Sequence, residues 1–400
     1  MRGHLADYYS RPIEIVDGDG CFLVDAKGKR YLDFIAGWCV GNIGWKRKEV
    51  REALQKEAAR GIYVPPFLHF AGWEKFAELL VSHAPGKLSR VFRCTSGSEA
   101  VEFAVKCARA ATGKKFIVSI DGVYHGHTYG AASVGNACSK EMAPCLFEFE
   151  KIPMPNEYRG VTAAEVVKKF EKRAREGDIA AFISEPVFTN AGAIVPPADF
   201  YPAIADICRK HGILLVMDEV ATGFGRCGTL FGSELWGLEP DIICLGKGLT
   251  GGYGTMGATL VTEKVYARAS GIPWYSTFGW LVTDLAAAQA NVEVILRERL
   301  WENAREVGAY ILEKLKPLED TPDVGEVRGI GMVLGIEIVR DKQSRAPDFL
   351  KAQRFQDRCA ERGLLLETAH NTLFITPSLT LTKELADQGI GIISEVLRAG

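Results

Sequence analysis

Residues Asp241–Gly254, with Pro240 in front, read PDIICLGKGLTGGYG and hold a single lysine, Lys247, between two glycines. Asp-Ile-Ile-Cys-Leu has the length and uniform apolarity of a strand buried on both faces of a parallel sheet. The lysine is thereby delivered to the strand's C-terminal end. Flanking glycines permit close backbone approach, and burial disfavours an ammonium and lowers its pKa toward a usable nucleophile. Two readings stand side by side: a Schiff-base lysine, or a surface lysine in a glycine turn. The rest of the chain has to separate them.

The chain of 400 residues is 47% hydrophobic and 24% charged, with a formal net charge of −2. That is enough for a large core. No apolar run reaches membrane-spanning length, and the cations form no basic stripe, so neither a membrane nor a nucleic acid is expected as partner. The opening MRGHLADYYSRP contains no apolar core of a signal peptide, which makes the cytoplasm the expected compartment. Ten cysteines occur singly, without a C-x-x-C pair, in apolar settings such as Cys107, Cys208 and Cys244; this predicts buried free thiols. His125 and His127 lack metal-ligand spacing, so no metal site is expected.

Before the central region, Gly20–Val24 and Arg30–Phe34 around Asp25–Lys29 predict a hairpin or meander. FIAGWCVGNIGW (34–45) fits no regular element, and Trp38 within it either lines a pocket or packs. Amphipathic helices are predicted over Glu49–Arg60 and Gly72–Ala84. From Val91 to Thr262, strand-length apolar runs recur at Phe116–Ile120, Ala180–Ser184, Gly212–Met217, Asp241–Leu245 and Ala258–Val261, with helical patterns at Ala163–Ala174 and Pro202–Lys210. Such alternation predicts an α/β fold with a mainly parallel sheet, whose ligands bind beyond the strands' carboxyl ends. Helices over Leu285–Arg299 and Trp301–Lys314, a strand at Val333–Val339 and a helix from Leu381 follow. The expected organisation is a large domain over 41–283 and a smaller α+β domain built from 1–40 and 284–400.

Four strand-end features join the lysine. Thr95-Ser96-Gly97-Ser98-Glu99 opens a helix; Ser96 and Glu99 suit a capping box, and the amides of Gly97 and Ser98 suit a phosphate. Asp218 closes a buried strand and needs a cationic or hydrogen-bonding partner, such as a protonated pyridine nitrogen, or else caps a turn. Tyr124, in Gly122–Gly126, can offer a flat face or simply pack. Glu185 stands at the end of Ala180–Ser184. Together they match what pyridoxal phosphate requires: imine, pyridinium partner, stacking face and phosphate cradle.

SGSEAVEFAVKCARAATG (96–113), DGVYHGHT (121–128), SEPV (184–187), DEVATGFGRCG (218–228), EPDIICLGKG (239–248) and STFG (276–279) follow one another as in class III aminotransferases, the ω-aminotransferase subgroup of fold-type I pyridoxal-phosphate enzymes, which the chain resembles over nearly its whole length. The resemblance implies Lys247 as Schiff-base lysine and proton shuttle, Asp218 on the pyridinium, and Val220 and Tyr124 on opposite ring faces. It implies Gly97 and Ser98 on the phosphate, and Thr277 reaching the phosphate of a neighbouring subunit in a homodimer with shared active sites. Trp280 stands where many relatives have glycine. Arg226 belongs to the motif and is read as a structural ion pair.

The resemblance also has gaps. Where many relatives carry an arginine of an R-x-x-P-P-L pattern, this chain has Phe374; where amine-accepting members place a mobile arginine, it has Glu367. The expected reaction is therefore transfer of an amino group from a primary amine, diamine or ω-amino compound to a keto acid such as pyruvate or 2-oxoglutarate, by ping-pong chemistry. Trp38, Glu367 and Phe374 are the candidate substrate residues, with Glu367 either attracting a distal ammonium at the pocket mouth or standing exposed and paired with a nearby lysine or arginine. A racemase or epimerase on the same fold is the alternative, and a non-catalytic relative that only binds the cofactor comes after it.

Overall fold

A computed structural model describes residues 13–138, 145–146, 148–273 and 275–400. The segment MRGHLADYYSRP lies outside the described residues. Strands β1 (Ile15–Asp19), β2 (Phe22–Asp25) and β3 (Arg30–Asp33) make an antiparallel meander. The predicted hairpin is its second half. Its turn is held by Asp25, whose Oδ1 accepts the amides of Lys27 and Lys29, each at 2.9 Å.

The seven strands β4 (Leu88–Cys94), β5 (Phe116–Ile120), β6 (Phe149–Ile152), β7 (Ile179–Ser184), β8 (Leu214–Asp218), β9 (Ile242–Leu245) and β10 (Gly257–Thr262) form the central sheet, in the order β4-β10-β9-β8-β7-β5-β6. β10 runs antiparallel to both its neighbours, and the pairs from β9 across to β6 are parallel. All residues of β7, β8 and β9 are buried, which is why these segments read as unbroken apolar runs rather than alternating ones. The helices Gly97–Thr112, Ala163–Ala174 and Phe200–His211 connect and cover the strands. Thr162 and Glu165 cap the second through a reciprocal capping box.

Later come β11 (Val324–Ile330), β12 (Val333–Ile338), β13 (Leu364–Leu365), β14 (Glu367–Ala369) and β15 (Thr372–Ile375). β11-β12-β15-β14 is an antiparallel sheet, whereas β13 leaves it to pair in parallel with β3, so the two ends of the chain share one sheet. Helices Val282–Glu298, Leu300–Leu315, Phe349–Glu361 and Lys383–Arg398 complete this part.

Several expectations change. Asp241 precedes β9 rather than starting it, because its carboxylate accepts the Leu215 amide at 2.9 Å. Cys138 and Cys145 are paired as a disulfide, against the expectation of free thiols throughout; the other eight cysteines are free and buried. Trp280 takes a left-handed φ of +61°, an uncommon state for a bulky side chain. It is held there by full burial, an edge-on contact with Phe76 at 5.2 Å and an indole hydrogen bond to the Gly257 carbonyl at 2.8 Å. Among the described residues no helix is long and apolar enough to cross a membrane.

Candidate active site

Beyond the carboxyl ends of β7, β8 and β9, and at the start of helix Gly97–Thr112, lies a cavity of about 410 Å³. Its wall contains Lys247, Asp218, Glu185, Tyr124, Gly97, Ser98, Val220 and Trp38, so eight of the residues singled out from the sequence meet there. It also contains His125, Thr189, Asn190 and Ala221, which sequence reasoning did not select. Their signal was position alone: each follows a selected residue on the same strand-end loop.

Lys247 opens a 3₁₀ turn, Lys247–Leu249, with φ +41°. Its carbonyl accepts the amides of Thr250 and Gly251, each at 3.1 Å. Gly248 has no room for a side chain, since a Cβ there would lie 2.6 Å from Asn42 Nδ2. The lysine stands just beyond a strand end, as the sequence suggests, but the left-handed step falls on Lys247 itself and not on the glycines that flank it.

Asp218 closes β8 with both oxygens engaged: Oδ1 accepts the Val220 amide at 3.0 Å, and Oδ2 lies 2.7 Å from His125 Nδ1. His125 is buried and its Nε2 has no partner. Glu185 is buried beside them. Its Oε2 accepts the Thr189 hydroxyl and, at 3.3 Å, the Thr189 amide, while Oε1 has no partner. Burial pushes the Glu185 carboxyl up to about 7, with His125 and Lys247 opposing and Asp218 adding to the rise.

At the helix start, Ser96 accepts the Glu99 amide at 3.2 Å. The capping box is only half formed, because the Glu99 carboxylate turns to the Thr95 amide and hydroxyl, both at 2.6 Å. A Cβ at Gly97 would lie 2.9 Å from both Val220 methyls, so only glycine lets the helix start approach the end of β8 this closely. The first amides of an α-helix have no intrahelical acceptors, and its N-terminal end carries partial positive charge.

Three selected residues lie elsewhere. Phe374 is buried behind the wall, its ring 5.1 Å from that of Trp38. Glu367 is not brought into the cavity: its carboxylate accepts the Gln356 side-chain amide and the Thr368 amide. Thr277 is exposed, its carbonyl accepting the Tyr63 hydroxyl at 2.8 Å. Arg226, expected in an ion pair, is fully buried among neutral acceptors, Asn42 Oδ1 at 2.5 Å and the carbonyls of Pro377 and Met332. Burial lowers its pKa, and Asp33 opposes this only through space.

A cavity with unpartnered buried atoms on His125 and Glu185 is incomplete as it stands, since such atoms cost free energy until a ligand or water meets them. An anion-seating helix start at one side, a carboxylate at the end of β8 and a lysine on the turn after β9 provide, in one space, for a phosphate, a ring nitrogen and an aldehyde. These residues fit pyridoxal phosphate, and cavity and sheet together define a fold-type I pyridoxal-phosphate enzyme. The family model for "Aminotransferase class-III" matches residues 6–397, and the chain belongs to that family: it is a pyridoxal-phosphate-dependent transaminase. It is 35% identical to acetylornithine aminotransferase of Methanosarcina acetivorans over 97% of this chain and 92% of that one. It is 32% identical to alanine/serine racemase of Pyrococcus horikoshii over 95% and 85%. Among solved structures it is similar to an amine transaminase from an uncultivated Pseudomonas species in its pyridoxal-phosphate-bound form, with a TM-score of 0.93, 32% identity, and 100% and 97% of the two chains covered.

Proposed function

We propose that this transaminase takes its amino group from amines whose far end is apolar or cationic, with Lys247 as the residue that moves the proton. The observation behind it is that Lys247 is the only lysine or arginine among the described residues lining the cavity. A substrate carboxylate far from the reacting carbon would meet no guanidinium there, and an unpaired buried anion is costly. When bound, pyridoxal phosphate supplies an electron sink for negative charge on the substrate carbon. In this reading Lys247 Nζ takes the proton from that carbon as general base and returns it as general acid. Asp218, oriented by His125, would hold the ring nitrogen in its charged form, with Glu185 closing the polar wall beside it. Tyr124 and Val220 would flank the ring, and Gly97 and Ser98 would hold the phosphate. Trp38, backed by Phe374, faces the donor's far end.

The same proposal includes a homodimer in which Thr277 serves the neighbouring subunit's phosphate. Its support is the exposure of apolar side chains, with Tyr275 at 71% and Phe278 at 61% flanking Thr277 in the chain and Phe67 at 84% exposed as well. It also includes a large unit over 41–283, and a cytoplasmic location supported by the eight free cysteines. A racemase remains the second reading because one relative bears that name.

The test is a panel of monoamines, diamines and ω-amino acids with pyruvate or 2-oxoglutarate. Wild type forms amino acid from the first two groups faster than from ω-amino acids of equal length. Glu367→Gln leaves the relative rates unchanged, since Glu367 lies outside the cavity. Lys247→Ala keeps its circular dichroism and loses turnover. A preference for anionic donors would overturn the proposal, and deuterium exchange with inversion but no keto product would favour the racemase.

A further inference from the structure

The turn that presents Lys247 is too short to satisfy its own backbone. Lys247–Leu249 is three residues long, and the carbonyls of Gly248 and Leu249 fall outside its internal hydrogen bonds. Both are met by one side chain from a distant part of the chain: Asn291 Nδ2 donates to Gly248 O at 2.7 Å and to Leu249 O at 3.2 Å. Asn291 sits within helix Val282–Glu298 and is fully buried, on the same inward side as Ala287, Ala288 and Val292. Asparagine is a poor residue for a helix interior, and a buried amide is expensive unless it is bonded. Here the expense is offset only by the two carbonyls after Lys247. Its other atom, Oδ1, has no partner and lies 2.4 Å from where a Cβ on Gly251 would stand. The amide is thus wedged against the turn at two points. Asn42 lies where a Cβ on Gly248 would stand, and is itself fixed by donating to Phe224 O at 2.9 Å and accepting from Arg226.

We propose that Asn291 is a positioning residue for Lys247: by holding the Gly248 and Leu249 carbonyls it keeps the left-handed step at 247 in the one orientation that aims Nζ into the cavity. A left-handed step at a non-glycine residue persists only when its surroundings over-determine it. Removing the amide lets the turn relax, and a displacement of about 1 Å at a reacting group costs on the order of 100-fold in rate. The walls that meet substrate are untouched, so the loss falls on kcat and spares KM.

This inference rests on the reading of Lys247 as the proton-moving residue, and the experiment separates the two. Holoenzymes of wild type, Asn291→Ala, Asn291→Ser and Lys247→Ala are compared. The readouts are kcat and donor KM, melting temperature, and the rate at which borohydride fixes the cofactor on residue 247, followed by peptide mass spectrometry. Asn291→Ala is expected to lose at least tenfold in kcat and in fixation rate with KM within about twofold. Asn291→Ser, which keeps one donor, falls between it and wild type. If Asn291→Ala does not fold, Asn291→Ser decides alone. Normal kcat and fixation rate in a folded variant, with only the melting temperature lowered, would make Asn291 merely structural and overturn the inference. A Lys247→Ala enzyme that still turned over would overturn the reading beneath it, whatever the Asn291 variants did.

Discussion

At the scale of single residues, Glu185 carries the clearest electrostatic consequence. Its carboxyl is buried and raised from the ordinary glutamate value of 4.5 to about 7. The folded chain therefore binds a proton that the unfolded chain has released between these limits. Stability from this residue is complete below about pH 4.5 and declines as pH rises through about 7, by about 3 kcal/mol in all. Urea denaturation of the cofactor-free protein at pH 5 and pH 8 should show this loss in wild type and a flatter profile in Glu185→Gln. An equal slope in both would assign the pH dependence to other groups. Glu367, for which the sequence leaves open either recognition of a distal ammonium or an ordinary surface pairing, is absent from the cavity lining, and β14 turns its carboxylate to Gln356 and Thr368. The apolar run before each acid does not distinguish the two; only the SEPV motif sets Glu185 apart.

At the scale of elements, the meeting of helix Gly97–Thr112 with the end of β8 decides the phosphate end of the cavity. The contact is backbone against the Val220 methyls, without space for even one carbon more at position 97. Gly97→Ala should force the helix start away from β8 at about 1–3 kcal/mol, weakening pyridoxal-phosphate binding by about 5- to 150-fold. Titration of the cofactor-free variant with the cofactor, followed by absorbance, measures it. Wild-type affinity would mean that the junction yields without cost. The glycine was legible in the sequence as a phosphate-loop residue; its partner Val220, more than a hundred residues away, was legible only through family resemblance.

At the scale of the whole molecule, Thr277 lies outside the cavity of its own chain, bonded to Tyr63 and followed by the exposed Phe278, and Phe67 is exposed as well. An apolar surface of this kind is covered by a second copy in the proposed dimer. Phe67→Asp should shift the protein toward monomer in sedimentation velocity, and with it weaken cofactor retention, because each phosphate would lose the neighbouring threonine. A variant that remains dimeric with full retention would count against shared sites.

By itself the sequence determined the class of fold and the position of Lys247, Asp218, Glu185 and the helix start. Buried parallel strands must be apolar throughout, and polar residues that interrupt such runs at their carboxyl ends stand out by contrast. Phe116–Ile120 and Ala163–Ala174 even keep their predicted boundaries. Only the tertiary structure decided which of the remaining polar residues matter. His125 turns toward Asp218 across 93 positions, Asn291 reaches the Lys247 turn across more than 40, and Arg226 finds Asn42 instead of an acid. A hydrogen bond is satisfied or left open by geometry in three dimensions, and residues that far apart in the chain leave no local pattern to announce it.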